Sequence, residues 1–332
     1  MELKNKRILI TGGSGFIGSH LVDFLLRNGC YVFNYDKLTY AANVEFTKNL
    51  VKENNRFTHL HSCITQAQSH ESLIFEFKPD AIFHLAAESH VDRSISNAKP
   101  FIETNIVGTV CMLDLGLKIF EKNRDFKFIH VSTDEVYGSL KMDDKPFDTT
   151  SAYRPNSPYS ASKAGSDHFV RAWGQTYNLP VVITHCSNNY GPRQHAEKFI
   201  PVVIHSILKN QDIPVYGNGL NIRDWIYVED HVRGLVGAFA QFIPGKTYNF
   251  GGDSEISNLD LVKEISRIFD RMQGNKNAES ESLIKFVTDR KGHDFRYAIN
   301  NQEAENSLNW KPEVNFVFGL EKTIEWYLGH SK

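Results

Sequence analysis

The feature that most constrains this chain is a short β-branched strand, Arg7-Ile8-Leu9-Ile10-Thr11. It runs directly into Gly12-Gly13-Ser14-Gly15-Phe16-Ile17-Gly18 and then into an apolar-periodic helix through Leu21, Phe24 and Leu25 that stops at Gly29. Strand, glycine turn and helix in that order place backbone N–H groups and the positive end of a helix where a pyrophosphate can sit. A glycine motif alone is weak, but Gly12, Gly15 and Gly18 carry the flanks that the motif requires. The following strand, over 31–35, ends at Asp36. A carboxylate there accepts from both ribose hydroxyls of an adenosine and repels a 2′-phosphate, so the expected dinucleotide is NAD rather than NADP.

The βα alternation continues. Strands are expected over 57–61, 81–85, 126–131 and 181–185, with helices over 66–77, 100–120 and from 158 to about 177. Beyond residue 186 the alternation loosens. The runs 214–219 and 223–227 suggest short strands and turns of a second, smaller unit, with helices returning near 228–239, 259–272 and 316–327. At 332 residues the chain is long enough for one large domain or two ordinary ones. Its net charge of −2, with no long block of one sign, gives no electrostatic footprint for nucleic acid or an anionic membrane. No apolar stretch is expected to span a bilayer, and the polar N-terminal residues do not read as a signal peptide. Cys30, Cys63, Cys111 and Cys186 lie far apart with no CxxC pair. That argues against a zinc site or a disulfide framework and fits a reducing, cytoplasmic setting.

Two runs carry chemistry. The first is Val131-Ser132-Thr133-Asp134-Glu135-Val136-Tyr137-Gly138, at the end of the 126–131 strand. Successive side chains on a strand point to opposite faces, so Asp134 and Glu135 can serve one substrate only if the strand ends near Ser132. Two adjacent carboxyls at the carboxyl edge of a parallel sheet can then divide the labour, one neutral acid and one ionised base. An isolated Asp-Glu pair is more often a solvated loop, and only its setting argues otherwise. The second run is Ser157-Pro158-Tyr159-Ser160-Ala161-Ser162-Lys163. Serine as N-cap and proline at the first position announce a helix, which puts Tyr159 and Lys163 on one face. An ammonium there is expected to lower the tyrosine pKa toward the working pH and make Tyr159 a base for an alcohol. Arg223, Arg290 and Arg296 are candidates for gripping an anionic group.

At this point the chain resembles the extended short-chain dehydrogenase/reductase family through Thr11–Gly18, Tyr159…Lys163 and Asn188-Asn189-Tyr190-Gly191-Pro192. Within it the chain is most similar to the dTDP-glucose 4,6-dehydratases. The matching runs begin at Asp36, His84, Ser132, Arg223 and Asp289, in the family's order and over nearly the whole chain. The resemblance implies a Rossmann-type doubly wound parallel sheet that binds NAD, with a smaller C-terminal sugar-nucleotide-binding α/β domain. The expected division gives residues 1–187 to the cofactor, with 225–250 returning to that unit. Residues 188–224 and 251–332 go to the substrate.

The implied reaction is a redox-neutral dehydration of dTDP-glucose. Tyr159, supported by Lys163 and Thr133, takes the 4-hydroxyl proton. Glu135 takes the C5 proton and Asp134 protonates the leaving 6-hydroxyl. Cofactor positions carried over are Gly12, Gly15, Phe16, Ile17, Gly18, Asp36, Lys37, Leu38, Thr39, Cys63, Ile64, Leu85, Ala86, Ala87, Ser89, Thr104, Tyr159, Lys163 and Asn189. Substrate positions are Ser89, Thr133, Asn188, Lys198, Pro214, Tyr216, Arg223, Asn258, Asp289, Arg290 and His293.

Two residues depart from the family pattern. Cys63 stands where aspartate is usual and Ala42 where glycine is usual. The alternatives are a UDP-glucose 4,6-dehydratase, or an epimerase or decarboxylase of sugar nucleotides, in which small residues replace the two carboxyls. A further alternative is a regulator that has lost catalysis, and the intact Tyr159/Lys163 pair argues against it. No metal is expected. Apolar residues on more than one face of helices 100–120 and 158–177 (Val107, Val110, Phe169, Trp173) suggest a homodimer.

Overall fold

The computed structural model describes residues 3–275 and 279–330. In chain order the strands are β1 (Arg7–Thr11), β2 (Tyr31–Asp36), β3 (Phe57–His61), β4 (Ala81–His84), β5 (Lys127–Val131), β6 (Val181–Cys186), β7 (Asn188–Tyr190), β8 (Ile213–Tyr216), β9 (Ile222–Tyr227), β10 (Thr247–Phe250), β11 (Glu255–Ser257) and β12 (Ile284–Val287). Seven of them form a parallel sheet ordered β10-β6-β5-β4-β1-β2-β3. The order reverses between β1 and β4, the place where a doubly wound sheet opens a crevice at its carboxyl edge. The central strands are buried on both faces and read as continuous apolar runs (Ile8, Leu9, Ile10; Ile82, Phe83; Phe128, Ile129) because helices cover both sides. One covering layer centres on Leu21, Val22, Leu25, Leu235 and Phe239, the other on Met112, Leu113, Leu115, Ile119 and Val170.

A second core is built from β7, β9 and β11, from β8 paired with β12, and from the helices Phe199–Leu208, Asn258–Met272 and Phe316–His330. It contains Ile200, Val203, Trp225, Leu261, Ile265, Leu320 and Ile324. The helix Val228–Ala240 and β10 lie with the large sheet, whereas β9 lies in the small one.

Three expectations need correction. The helix expected over 66–77 is a 3₁₀ segment, Ile64–His70, followed by an α-helix, Glu71–Phe77, because Gln66 at φ −104° and ψ 19° kinks the chain. The helix expected over 100–120 contains a π turn, Ile102–Gly108, between α-helical Lys99–Phe101 and Thr109–Lys122. The continuous run Lys99–Lys122 is also long and apolar enough, by composition, to match a membrane span. Half of its apolar window is buried in this fold, where it packs on the sheet. The helices Val44–Glu53, Val91–Ser96, Phe199–Leu208 and Gln302–Leu308 were not expected.

Candidate active site

Four strand ends, Asp36, His84, Val131 and Cys186, reach the same edge of the sheet. Above them lies a cleft of about 320 Å³. Of the residues singled out from the sequence, it brings together Gly12, Gly15, Phe16, Ile17, Gly18, Asp36, Lys37, Thr39, Ile64, Leu85, Ala86, Ala87, Ser89, Thr104, Thr133, Asp134, Glu135, Tyr159, Lys163, Asn188, Asn189 and Lys198, with Ala42 beside them. Leu38 and Cys63 do not line it. The Cys63 thiol accepts from Thr65 Oγ1 at 3.2 Å, and the Leu38 N–H donates to Asp36.

The glycine turn is tight because it must be. Gly12 has φ +76°, and a Cβ there would meet the Ala86 backbone at 2.8 Å. A Cβ at Gly18 would lie 2.1 Å from the Gly12 carbonyl oxygen. Around Gly15 the only atom near a Cβ is Gly12 O at 3.3 Å, so the space above the turn is open to the cleft. Asp36 is fixed by the Ser14 N–H at 3.0 Å and the Leu38 N–H at 2.8 Å. Opposite, Lys37 is paired with Glu88 at 3.0 Å, and Asn105 ties the Glu88 backbone through both its N–H and its carbonyl. An open glycine cradle at a helix start, with a fixed carboxylate at the end of the next strand, fits a dinucleotide.

The corner that holds the two carboxyls forms where β5 stops. Thr133 is extended (φ −138°, ψ 150°) and caps a 3₁₀ turn, Asp134–Tyr137, by accepting from the Glu135 N–H at 3.3 Å. The strand alternation is broken at the point where it would have sent the two carboxyls apart. Asp134 is buried, and its Oδ1 accepts from Thr133 Oγ1 at 3.3 Å. Its Oδ2 has no hydrogen-bond partner among the described residues. Glu135 is half-buried and accepts from Ser160 Oγ at 3.3 Å.

Burial pushes the Asp134 carboxyl well up, and the neighbouring charges of Glu135 and Asp224 push it further. Arg223 and the Thr133 hydroxyl oppose them. Burial also raises Glu135, but there Arg223 and Lys198 are the next largest influences and both pull it down. The expected high–low pair is therefore a difference of degree. Both carboxyls lean toward the neutral form, Asp134 further than Glu135.

Tyr159 and Lys163 stand on the first turns of the helix Pro158–Tyr177, which Ser157 caps through the Ser160 N–H at 3.1 Å. The expected depression of the tyrosine pKa is not what the structure shows. Burial, then the nearby Glu135 carboxylate, lift the Tyr159 phenol well above its ordinary value, against a hydrogen bond with Thr133. The Lys163 amine is turned to the Val131 carbonyl, to which it donates at 2.8 Å, and burial lowers its own pKa.

Seven expected substrate residues do not line the cleft. Arg223 is buried and donates to the carbonyls of Ile222 (2.7 Å), Asp294 (2.9 Å) and Phe295 (3.3 Å), near the Glu135 and Asp134 charges. Glu255 holds Arg296 bidentately at 2.5 and 2.8 Å. Arg290 pairs with Asp92 at 2.7 Å and lies over the Tyr216 ring. Asp289 accepts from His293 Nδ1 at 2.7 Å, and His293 meets the edge of the same ring. These four cluster at the end of β8, which contains Pro214, while Asn258 opens the helix Asn258–Met272.

Sequence reasoning missed the segment 194–197. Gln194, His195 and Glu197 line the cleft, and Glu197 pairs with Arg93 at 3.2 Å and His90 at 3.5 Å. His195 meets Tyr40 edge-on, and the Arg93 guanidinium lies 3.7 Å from the centre of the Tyr40 ring. The polar run between Pro192 and the apolar helix Phe199–Leu208 was the available signal.

The family model described as GDP-mannose 4,6 dehydratase matches residues 9–323. The chain is 46% identical to a dTDP-glucose 4,6-dehydratase of Escherichia coli, over 98% of this chain and 94% of that one. It is 50% identical to a probable dTDP-glucose 4,6-dehydratase of Sinorhizobium fredii, over 97% and 93%. Among solved structures it is similar to DesIV, a dTDP-glucose 4,6-dehydratase of Streptomyces venezuelae with NAD and TYD bound, at 41% identity, TM-score 0.88 and 97% of each chain. A UDP-glucose 4-epimerase of Thermotoga maritima with UDP-glucose shares the fold at 27% identity and TM-score 0.87, over 98% of this chain and 99% of that one.

Proposed function

The chain belongs to the dTDP-glucose 4,6-dehydratase family, and from that premise and the geometry of the cleft we propose how it works on its substrate. It is an NAD-dependent hydro-lyase that converts dTDP-glucose to dTDP-4-keto-6-deoxyglucose. Bound NAD supplies a hydride acceptor for C4 and the hydride donor for C6.

This chain's own residues manage the protons. Tyr159, in contact with Thr133, takes the proton of the sugar 4-hydroxyl. Glu135, the carboxyl of the pair closer to its ionised form, removes the C5 proton, which a 4-keto group makes acidic. Asp134, held neutral, delivers a proton to the departing 6-hydroxyl. The observation that carries this division is Asp134 itself, a buried carboxyl beside a second carboxyl, with one oxygen left without a partner. A group so placed is stable as a neutral acid and has a free position from which to donate.

We assign cofactor binding to residues 1–187 with 225–250, and the sugar nucleotide to 188–224 with 251–332. The Tyr216–Arg290–His293 cluster takes the nucleotide end of the substrate. We also assign a homodimer joined through the exposed apolar residues Ile102, Val107, Phe169 and Tyr177, and a cytoplasmic location.

The test is to incubate the protein separately with dTDP-glucose and UDP-glucose and to weigh the products. Loss of one water from dTDP-glucose, with kcat/KM well above that for UDP-glucose, is expected. Comparable values for both would remove the thymidine preference, and a product of unchanged mass would make the chain an epimerase.

A further inference from the structure

We propose that Ser160, on the first turn of the helix Pro158–Tyr177, is a positioning residue for the C5 proton transfer: its hydroxyl holds one oxygen of Glu135 and leaves the other to take the proton. This rests on Glu135 being the base assigned above.

Ser160 is fully buried, and its hydroxyl donates to Glu135 Oε2 at 3.3 Å. Behind it stands Ser157, the helix cap, with its own hydroxyl 2.6 Å from that of Ser160. Ser157 Oγ also accepts from the Ser160 N–H at 3.1 Å. Each hydroxyl has one proton to give, and an ionised carboxylate only accepts. With Glu135 ionised, the Ser160 proton therefore points to Glu135 and the Ser157 proton to Ser160 Oγ. The chain then runs one way, from helix cap to carboxylate, with every acceptor served. Were Ser160 to donate to Ser157 instead, Glu135 Oε2 would lose its donor. The positive end of the helix favours the same charge on Glu135.

No second side chain among the described residues makes a hydrogen bond to the Glu135 carboxyl. The nearby cations are engaged elsewhere: Arg223 donates to backbone carbonyls, and Lys198 donates to the Ser89 carbonyl at 3.0 Å. They act on Glu135 through charge, whereas the Ser160 hydroxyl touches it and so selects its rotamer. The backbone end of Glu135 is fixed as well, since its N–H donates to Thr133 Oγ1 at 3.3 Å. Tyr159 sits one residue before Ser160, and its own N–H donates to Ser94 Oγ at 3.1 Å. One turn of helix thus presents the base for the 4-hydroxyl and the tether for the base at C5. Successive helical residues point about 100° apart, so the two side chains serve different steps.

The charged and titratable groups around Glu135 are Asp134 beside it, Cys186 at the end of β6, Arg223 on β9, Lys198 before the helix Phe199–Leu208, Tyr159, Asp294 and Tyr297. Burial raises the Glu135 carboxyl, and the Ser160 hydroxyl is among the groups that oppose it. Ser160→Ala leaves all those groups in place and removes the hydroxyl alone. A carboxylate that loses a donor binds its proton more tightly, so the ionised base appears at higher pH.

The test is Ser160→Ala loaded with NAD and mixed with dTDP-glucose in deuterated solvent, with NADH absorbance and deuterium at C5 followed together. NADH is expected to appear at close to the wild-type rate, while exchange at C5 near neutral pH falls about tenfold. The rising limb of the exchange rate against pH is expected to move up by about 1 unit. Ser160→Cys, whose thiol is only a weak donor, is expected to shift both readings in the same direction and decides the case where Ser160→Ala does not fold. NADH formation and C5 exchange slowed equally, with the limb unmoved, would mean a merely structural role and overturn the proposal. Exchange at the wild-type rate would overturn it too. Glu135→Gln, run alongside, keeps this separate from the reading of the site. Exchange retained in Glu135→Gln removes the assigned base, whereas exchange lost there and kept in Ser160→Ala overturns the role of Ser160 alone.

Discussion

Two neighbouring carboxyls, Asp134 and Glu135, are made unequal by what surrounds them. Asp134 faces Glu135 and Asp224, whereas Glu135 has Arg223 and Lys198. Removing a positioned acid or base costs about 10²–10⁴-fold in its own step. Tyr159→Phe should therefore show no NADH absorbance on mixing with substrate. Asp134→Asn should form NADH and exchange the C5 proton with solvent, yet release the 6-hydroxyl poorly. Glu135→Gln should form NADH without exchanging that proton, and wild-type wash-in of deuterium at C5 would remove Glu135 from its role.

The pKa directions also bear on stability. Asp134 is raised in the fold, so the folded state holds its proton where the unfolded chain, with a pKa near 3.9, has lost it. Its contribution is fully present below that value and is lost as pH rises through the folded pKa. Asp134→Asn should consequently raise Tm by a few degrees at neutral pH, with the gain shrinking toward pH 4. A lower Tm at neutral pH would contradict the burial argument.

Elements differ in how far local sequence announces them. The helix Pro158–Tyr177 begins where Ser157 and Pro158 say it should, because cap and proline act through their own backbone. The end of β5 at Val131 follows the alternating run read over 126–131, and it meets the condition under which Asp134 and Glu135 can share one substrate. The π turn at Ile102–Gly108 was not legible. Its setting is tertiary: Asn105 bonds the Glu88 backbone and Ser162 Oγ, Thr109 lies 3.0 Å from His84 Nε2, and Gly108 abuts Ile64. Nothing in the local run Ile102–Gly108 specifies those partners. The helix Val91–Ser96 is equally short of local signal, with His90 as a weak cap at 3.5 Å. The tyrosine misreading has the same origin. Spacing placed Lys163 on the right face, but where its amine points was decided by the Val131 carbonyl. At this scale Ser157→Ala should cost about 1 kcal/mol through the lost cap, read by denaturant unfolding. Unchanged stability would mean that Pro158 alone sets the helix start. Gly18→Ala, whose Cβ must displace the Gly12 carbonyl, should yield folded protein stripped of NAD, visible in the absorbance ratio after purification.

The whole molecule joins two cores at one edge. The doubly wound sheet presents its groove at the switch point, and β7 of the small sheet carries Asn188 to it, while Arg223 on β9 lies outside the cleft. The domain of the large sheet was readable because parallel βα units repeat one pattern. The small unit was readable in part: the runs 214–219 and 223–227 correspond to β8 and β9, and the helices 259–272 and 316–327 are present. By contrast, β7, β11 and β12 went unread because such strands are three or four residues long and take their partners from distant parts of the chain. The exposed Ile102, Val107, Phe169 and Tyr177 lie on the adjacent helical runs Lys99–Lys122 and Pro158–Tyr177, so light scattering at micromolar concentration should report a dimer. A monomer there would leave those side chains to solvent and remove the proposed interface. The most direct test of the central claim is turnover of dTDP-glucose in deuterated solvent, with product mass, the isotope at C5 and nicotinamide absorbance followed together. The account predicts loss of one water, one deuteron gained at C5 and nicotinamide absorbance returned to its starting value. Net accumulation of NADH, or a product that keeps its mass and carries no deuterium, would contradict it.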